Sequence, residues 1–164
     1  MALTVGTQAP DFTLSSNSAD GIKKITLSDS FGKRNTLLLF VPMAFTRVCT
    51  DELCDASQGL RQFDDMDIAL YGISGDSPFA QQAWAEKESI TIPLLSDYEH
   101  KVAKLYDVAY DSFLPDLGLG MGGVAKRSAF VIDRDGIIQY AESADDPKRL
   151  PNFDAIKTKL SDLK

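Results

Sequence analysis

Thr36-Leu-Leu-Leu-Phe-Val41 and Asp67-Ile-Ala-Leu-Tyr-Gly-Ile-Ser74 constrain this chain more than any other part of it. The first is an apolar run bounded by charged residues and a proline; the second is rich in β-branched and aromatic side chains. Short runs of this kind read as strands buried in a sheet. Between them Leu53, Ala56, Leu60 and Phe63 recur at helical spacing, with Asp, Gln and Arg in the gaps. Strand, helix, strand over about forty residues is a βαβ unit. Such a unit requires parallel strands and a right-handed crossover.

The turn between the first strand and the helix is Pro42-Met-Ala-Phe-Thr-Arg-Val-Cys-Thr-Asp-Glu-Leu-Cys54. Pro42 ends the strand because it offers no amide hydrogen to a ladder. Thr46 suits an N-cap, and Asp51 and Glu52 are expected in the first turn, where the helix dipole favours anions. Cys49 is thereby delivered to the first turn of a helix. That placement matters because the thiolate is the nucleophile, and helix N-termini and nearby cations favour it. An unperturbed thiol is about 3 % ionised at neutral pH, so complete ionisation gains only about thirtyfold. Any larger acceleration needs donors aimed at charge that develops in the transition state. Thr46 can present a hydroxyl beside the sulfur, and Arg47 can add charge. The residues alone describe a primed thiol, against the plainer reading of a small buried cysteine that merely packs.

Pro42-x-x-x-Thr46-x-x-Cys49 resembles the active-site signature of the peroxiredoxins, and the likeness runs from near residue 3 to near residue 160. Ala9-Pro-Asp-Phe-Thr-Leu14 also resembles that family's opening. The resemblance implies an α/β protein of thioredoxin-like fold, with a central mixed sheet flanked by helices on both faces. It implies a thiol-dependent peroxidase in which Cys49 attacks hydrogen peroxide or an organic hydroperoxide and becomes a sulfenic acid. Thr46 would hydrogen-bond the sulfur and the peroxide, and Pro42 would shield the site from water. Arg127, opening Arg-Ser-Ala-Phe-Val-Ile-Asp133, stands where the family places an arginine that stabilises the thiolate and the leaving oxygen. Arg suits that task because it stays charged and offers several donors in a fixed fork. Glu52 matches a glutamate that relatives use to position the arginine, although a glutamate at a helix start also stabilises the helix unaided. No bound cofactor is needed, and a thioredoxin-like or small-thiol reductant would recycle the enzyme. Relatives often dimerise, so the resemblance allows a homodimer.

Cys54 bears on the subclass. Along an ideal helix five residues advance about 7.5 Å and turn about 140°, placing the two Cα atoms about 8.6 Å apart. A disulfide needs them within about 7 Å. If Cys49 and Cys54 pair, the helix must first unwind locally. The Cys-x4-Cys spacing resembles the bacterioferritin-comigratory-protein branch, in which the second cysteine resolves the sulfenic acid. Pro-Met-Ala-Phe-Thr and Ile-Pro-Leu-Leu-Ser-Asp97 resemble the one-cysteine alkyl hydroperoxide reductase branch instead. Resolution by Cys54, resolution by an external thiol, and a purely packing role for Cys54 all stay open at this point. With two cysteines in all, the intersubunit scheme that uses a C-terminal cysteine is excluded by count. The thioredoxin-type Cys-x-x-Cys is absent as well. A peroxide sensor or holdase could use the same sulfur, and turnover separates those readings from a peroxidase.

The remaining chain fits one domain spanning residues 1–164, long enough to bury a full core. Net charge of −7 argues against nucleic acid and anionic membrane surfaces as partners. The N-terminus lacks a signal-peptide pattern, no apolar stretch approaches spanning length, and the reducing cytoplasm is the expected compartment. Asp11–Leu14 and Lys24–Leu27 read as a hairpin joined by a polar stretch. Ser77 and Pro78 suit an N-cap and first helical position, ahead of Phe79, Ala83, Trp84 and Lys87. Trp84 reads as a core anchor, although relatives place an aromatic near the active site here. Thr91–Ser96 reads as an edge strand because of Pro93, and 97–106 as a helix. Arg127–Asp133 and Gly136–Ala141 read as a hairpin, and 152–163 as a closing helix. The glycine-rich stretch 116–124 neither follows a strand nor opens a helix, so it reads as a mobile loop beside the site. His100 reads as solvated, and one histidine with two cysteines matches no zinc module.

Overall fold

The computed structural model describes residues 2–59 and 66–164. Leu60 and Phe63, expected on the helix that follows Cys49, lie outside the described residues. Seven strands form one mixed sheet. They are β1 (Thr13–Ser18), β2 (Gly21–Thr26), β3 (Asn35–Phe40), β4 (Ile68–Ser74), β5 (Leu94–Ser96), β6 (Arg127–Ile132) and β7 (Ile138–Ala144), in the order β2-β1-β5-β4-β3-β6-β7. The βαβ expectation holds: β3 and β4 pair in parallel, from Asn35 opposite Ile68 to Phe40 opposite Ile73. The ladder continues one residue past β3, with the Val41 amide donating to the Ile73 carbonyl at 2.9 Å, and stops at Pro42.

Alternation in the central strands divides the core. Leu37, Leu39, Val41, Ala129 and Val131 face α1 (Arg47–Gln58), α2 (Pro78–Glu88) and α4 (Phe153–Asp162). Leu38, Phe40, Phe130 and Ile132 face the other way, against the N-terminal segment and α3 (Lys101–Leu105). Helices thus cover both faces of the sheet. Helix ends follow the local chemistry: the Ser77 hydroxyl accepts from the Ala80 amide at 3.1 Å, and Asn152 accepts from Ala155 at 3.0 Å. At the β6–β7 turn, Gly136 has φ +81°, a region open to glycine.

Four local expectations are corrected. The strand after Pro93 is interior, lying between β1 and β4. Pro93 precedes that strand and supplies only its carbonyl, which accepts from the Gly72 amide at 3.0 Å, so its missing donor breaks no ladder. Ser15 to Ser18 belong to β1 rather than to a connecting loop. They cross-pair with Gly21–Lys24 and leave only Ala19 and Asp20 as the turn. Helix α3 is confined to Lys101–Leu105, with the Asp97 carboxylate accepting from the Val102 and Ala103 amides at 3.0 and 2.8 Å. Phe79 points to solvent while Gln81 is buried, donating to Ser74 Oγ and the Leu95 carbonyl at 2.9 and 2.8 Å.

Candidate active site

The site is assembled by the end of β3, the start of α1 and the start of β6. Thr46 stands at the N-cap of α1, as its position predicts, but its hydroxyl does not cap the helix. It donates to the Met43 carbonyl at 2.7 Å. Among the described residues the hydrogen-bond partner of Cys49 Sγ is Arg127, whose Nη2 donates to it at 3.2 Å. Asp51 and Glu52 lie one turn further into α1 than expected. Arg47 is solvent-facing, 4.0 Å from Asp51, and contributes nothing to the sulfur.

Arg127 is the hub. Its Nη1 donates to Glu52 Oε2, its Nη2 to Cys49, and its Nε to the Pro147 carbonyl at 3.0 Å. Cys49, Glu52 and Arg127 are 1 %, 0 % and 2 % exposed. Three edges of one planar guanidinium therefore meet a sulfur, a carboxyl and a backbone carbonyl. This is the fixed fork that Arg provides and Lys does not. The helix presents Cys49 and Glu52 on one face because they are three residues apart. The antiparallel pairing of β6 with β3 brings Arg127 to them, since Phe40 lies opposite Ser128. A guanidinium so placed stabilises negative charge on the sulfur, and on an oxygen leaving from it.

Three residues that sequence reasoning passed over hold this arrangement in place. Asp76, read only as part of a turn, accepts from the Ala44 amide at 2.8 Å and from Ser74 Oγ at 2.7 Å, pinning the loop between Pro42 and Thr46. Within that loop Phe45 takes φ +62°, a left-handed conformation unfavourable for a bulky residue. Thr50 accepts from Trp84 Nε1 at 2.9 Å, so the fully buried indole is both a core anchor and a tie between α2 and α1. The expected aromatic near the site is this same ring. Pro147 supplies the carbonyl on Nε. A proline one residue beyond an Asp pair gave no signal of that role. Pro42, expected to exclude water, is buried.

Cys54 points away from Cys49's partner. Its Sγ donates to the Glu88 carbonyl at the end of α2 at 3.3 Å. Burial, then the carboxylates of Glu88, Asp51 and Asp55, push its thiol up. Ser57 adds a third tie between α1 and the segment after α2, accepting from the Thr91 amide at 2.9 Å. The glycine-rich stretch folds over a short turn at Pro115–Leu117. A cleft of about 380 Å³ lies there, lined by Tyr110, Phe113, Leu114, Leu117 and Pro147 among others. His100 is not simply solvated: its Nδ1 is buried without a partner, and its ring packs where Gly75 has no side chain.

Residues 5–141 match the AhpC/TSA family. The chain is 37 % identical over 142 residues to alkyl hydroperoxide reductase E of Mycobacterium tuberculosis (strain ATCC 25618 / H37Rv), covering 85 % of each protein. It is 32 % identical to the chloroplastic 2-cysteine peroxiredoxin of Chattonella marina var. antiqua, over 86 % of this chain and 71 % of that one. Among solved structures, peroxidoxin BcpB from Mycobacterium tuberculosis superposes with a TM-score of 0.82 at 28 % identity, covering 99 % of both chains.

Proposed function

The chain belongs to the AhpC/TSA family and is a thiol-dependent peroxidase of thioredoxin-like fold, and from that premise we propose that Cys49 is its peroxidatic sulfur. The observation that carries this assignment is the Arg127 Nη2 contact to Cys49 Sγ at 3.2 Å, inside a buried cluster. The Cys49 thiolate attacks a peroxide oxygen. An S–O bond forms, the O–O bond breaks, and sulfur is oxidised by two electrons to the sulfenic acid. The leaving hydroxide or alkoxide takes up a proton and departs as water or alcohol. Arg127 stabilises the charge on both oxygen and sulfur. The Thr46 hydroxyl, with its proton on the Met43 carbonyl, keeps lone pairs to accept from an incoming hydroperoxide. Glu52 positions Arg127, and Pro42 limits the entry of water.

The cleft beside Pro147 favours peroxides with an apolar tail. Its wall at Pro147 is bonded through Nε to the same guanidinium whose Nη2 holds the sulfur, which would set a tail there beside a peroxide at Cys49. Leu117→Ser is expected to lower kcat/KM for cumene hydroperoxide by about five- to tenfold, the worth of part of a leucine contact. Hydrogen peroxide, which has no tail, should be affected less than about twofold by the same measure. Equal losses on both substrates would remove the cleft from substrate binding.

Resolution falls to Cys54 after α1 opens, or to an external thiol. Disulfide formation joins the sulfenic acid to the Cys54 thiol and releases water. It requires the turn between residues 49 and 54 to unwind, which breaks the Cys54–Glu88 and Thr50–Trp84 bonds. Trp84 is the sole tryptophan, so its fluorescence reports that opening. If Cys54 resolves, one equivalent of peroxide changes the emission of the wild type and thioredoxin reverses it. Cys54→Ser then loses both the change and thioredoxin-coupled turnover while keeping turnover with dithiothreitol. Unchanged thioredoxin-coupled turnover in Cys54→Ser assigns resolution to the external thiol. We propose the cytoplasm as its compartment, because two cysteines do not make a secreted disulfide framework and reductants of this kind belong to a reducing environment. Among the described residues no helix is long and apolar enough to cross a membrane.

A further inference from the structure

One guanidinium serving two acids constrains how many protons the cluster holds. Arg127 carries a single positive charge. With Cys49 and Glu52 both ionised, a nearly solvent-free cluster would be net negative, and burial opposes that. With one proton retained it is neutral. The bonding of Glu52 indicates where the proton sits. Oε2 accepts from Arg127 Nη1, whereas Oε1 is buried with no hydrogen-bond partner. A carboxylate spreads its charge over both oxygens and would leave half of it unsolvated; a neutral acid leaves only a dipole unpaired.

Among the surroundings, burial and Glu142 favour the neutral acid and Arg127 opposes it. From β6 the facing charge is Arg127, and from α1 the neighbouring acid is Cys49. From β7 it is Glu142, whose carboxylate accepts from Tyr140 Oη at 2.6 Å and the Asn152 amide at 2.9 Å, with Arg149 3.9 Å away towards solvent. On the sulfur's side stands Tyr110, its hydroxyl donating to the Asp145 carbonyl at 2.7 Å. Burial pushes the Glu52 carboxyl up to about 7, overcoming the pull of Arg127, and Glu142 adds to the rise.

We propose that Glu52 holds the proton of the reactive cluster: in the peroxide-ready form its carboxyl is protonated and neutral, which commits Arg127's charge to the Cys49 sulfur. Glu52 is then a positioning residue that also sets the charge balance. As pH rises and Glu52 ionises, the guanidinium is divided between two anions. Coupling of this kind is reciprocal, so charge on the sulfur must in turn strengthen proton binding at Glu52. The inference rests on Cys49 as the reacting sulfur, but its test observes a carboxyl, so the two can fail separately.

Infrared difference spectroscopy of the full chain supplies the test. At pH 6 the wild type should show the C=O stretching band of a buried carboxylic acid, and Glu52→Gln should lack it. Cys49→Ser, which removes the anionic sulfur, should lower the pH midpoint of that band by about one unit, a tenfold loss of proton affinity. A Glu52 that only braces Arg127 as an ion pair gives no acid band at pH 6. That result overturns the proposal, as does a midpoint that stays put in Cys49→Ser. Should Glu52→Gln fail to fold, carboxyl resonances of 13C-glutamate-labelled wild type and Cys49→Ser decide between the same two outcomes.

Discussion

Cys49→Ser is expected to reduce peroxide consumption, with either dithiothreitol or thioredoxin as reductant, to the rate of the reductant alone. A serine hydroxyl is negligibly ionised at neutral pH, and it offers no sulfur for a peroxide oxygen to oxidise. The loss is therefore of the whole reaction, about six orders of magnitude on the scale of enzymatic acceleration. The fold should survive, because serine is smaller than cysteine and its hydroxyl can still accept from Arg127 Nη2. Circular dichroism and urea unfolding check that point alongside the assay. Stoichiometry in the wild type matters as much as the variant: a peroxidase consumes many equivalents of peroxide per chain, whereas a sensor consumes one. Residual turnover in Cys49→Ser would falsify the assignment of the reacting sulfur.

Arg127→Gln should show the next largest effect, on activity and on stability for different reasons. Removing a preorganised donor from developing charge lowers kcat/KM by about 10²- to 10³-fold, near 3–4 kcal/mol of transition-state stabilisation. Arg127→Lys should recover little, because one ammonium cannot meet Cys49, Glu52 and the Pro147 carbonyl in a single plane. Stability depends on Glu52, which loses its cation. An ionised buried carboxylate without a partner costs about 3–5 kcal/mol. Its carboxyl, ordinarily near 4.5, is already held up at about 7 by burial, and without Arg127 it rises further. A carboxyl whose folded value exceeds its unfolded one binds more protons when folded, so stability declines as pH rises. The wild type should lose stability between about pH 4.5 and 7, and Arg127→Gln should lose more, over a window extending to higher pH. Urea unfolding at pH 5.5 and 8 reads this. Adding Glu52→Gln should flatten the pH dependence without restoring activity. A stability loss equal at both pH values would mean that Glu52 is not the group responsible.

Much of the molecule could be read from local pattern. Thr36–Val41, Asp67–Ser74 and the helix between them specify a parallel pair through hydrophobic periodicity and length. Pro42 and Thr46 mark strand end and helix start, because a missing amide and a β-region cap act within a few residues. The placement of Pro93 failed for an instructive reason. A proline is compatible with an interior strand if it stands just outside the ladder and uses only its carbonyl, and the one-residue difference is decided by β4. Gln81 is buried while Phe79 is exposed because Ser74 and Leu95 supply acceptors that a buried amide can reach. A lone helix cannot reveal those partners.

The sequence by itself determined the candidate reacting group and the secondary structure that carries it: a cysteine in the first turn of a helix, a hydroxyl residue three positions earlier, and an arginine opening a strand. The elements follow from bonding between near neighbours, and the candidate roles from the spacing of a family motif. Tertiary structure alone decided that Arg127 meets Cys49 and Glu52 on one guanidinium, that Thr46 turns its proton to Met43, and that Cys54 faces α2. Each of those depends on strand register and on desolvation by distant residues, and electrostatics in a buried cluster is set by what surrounds it.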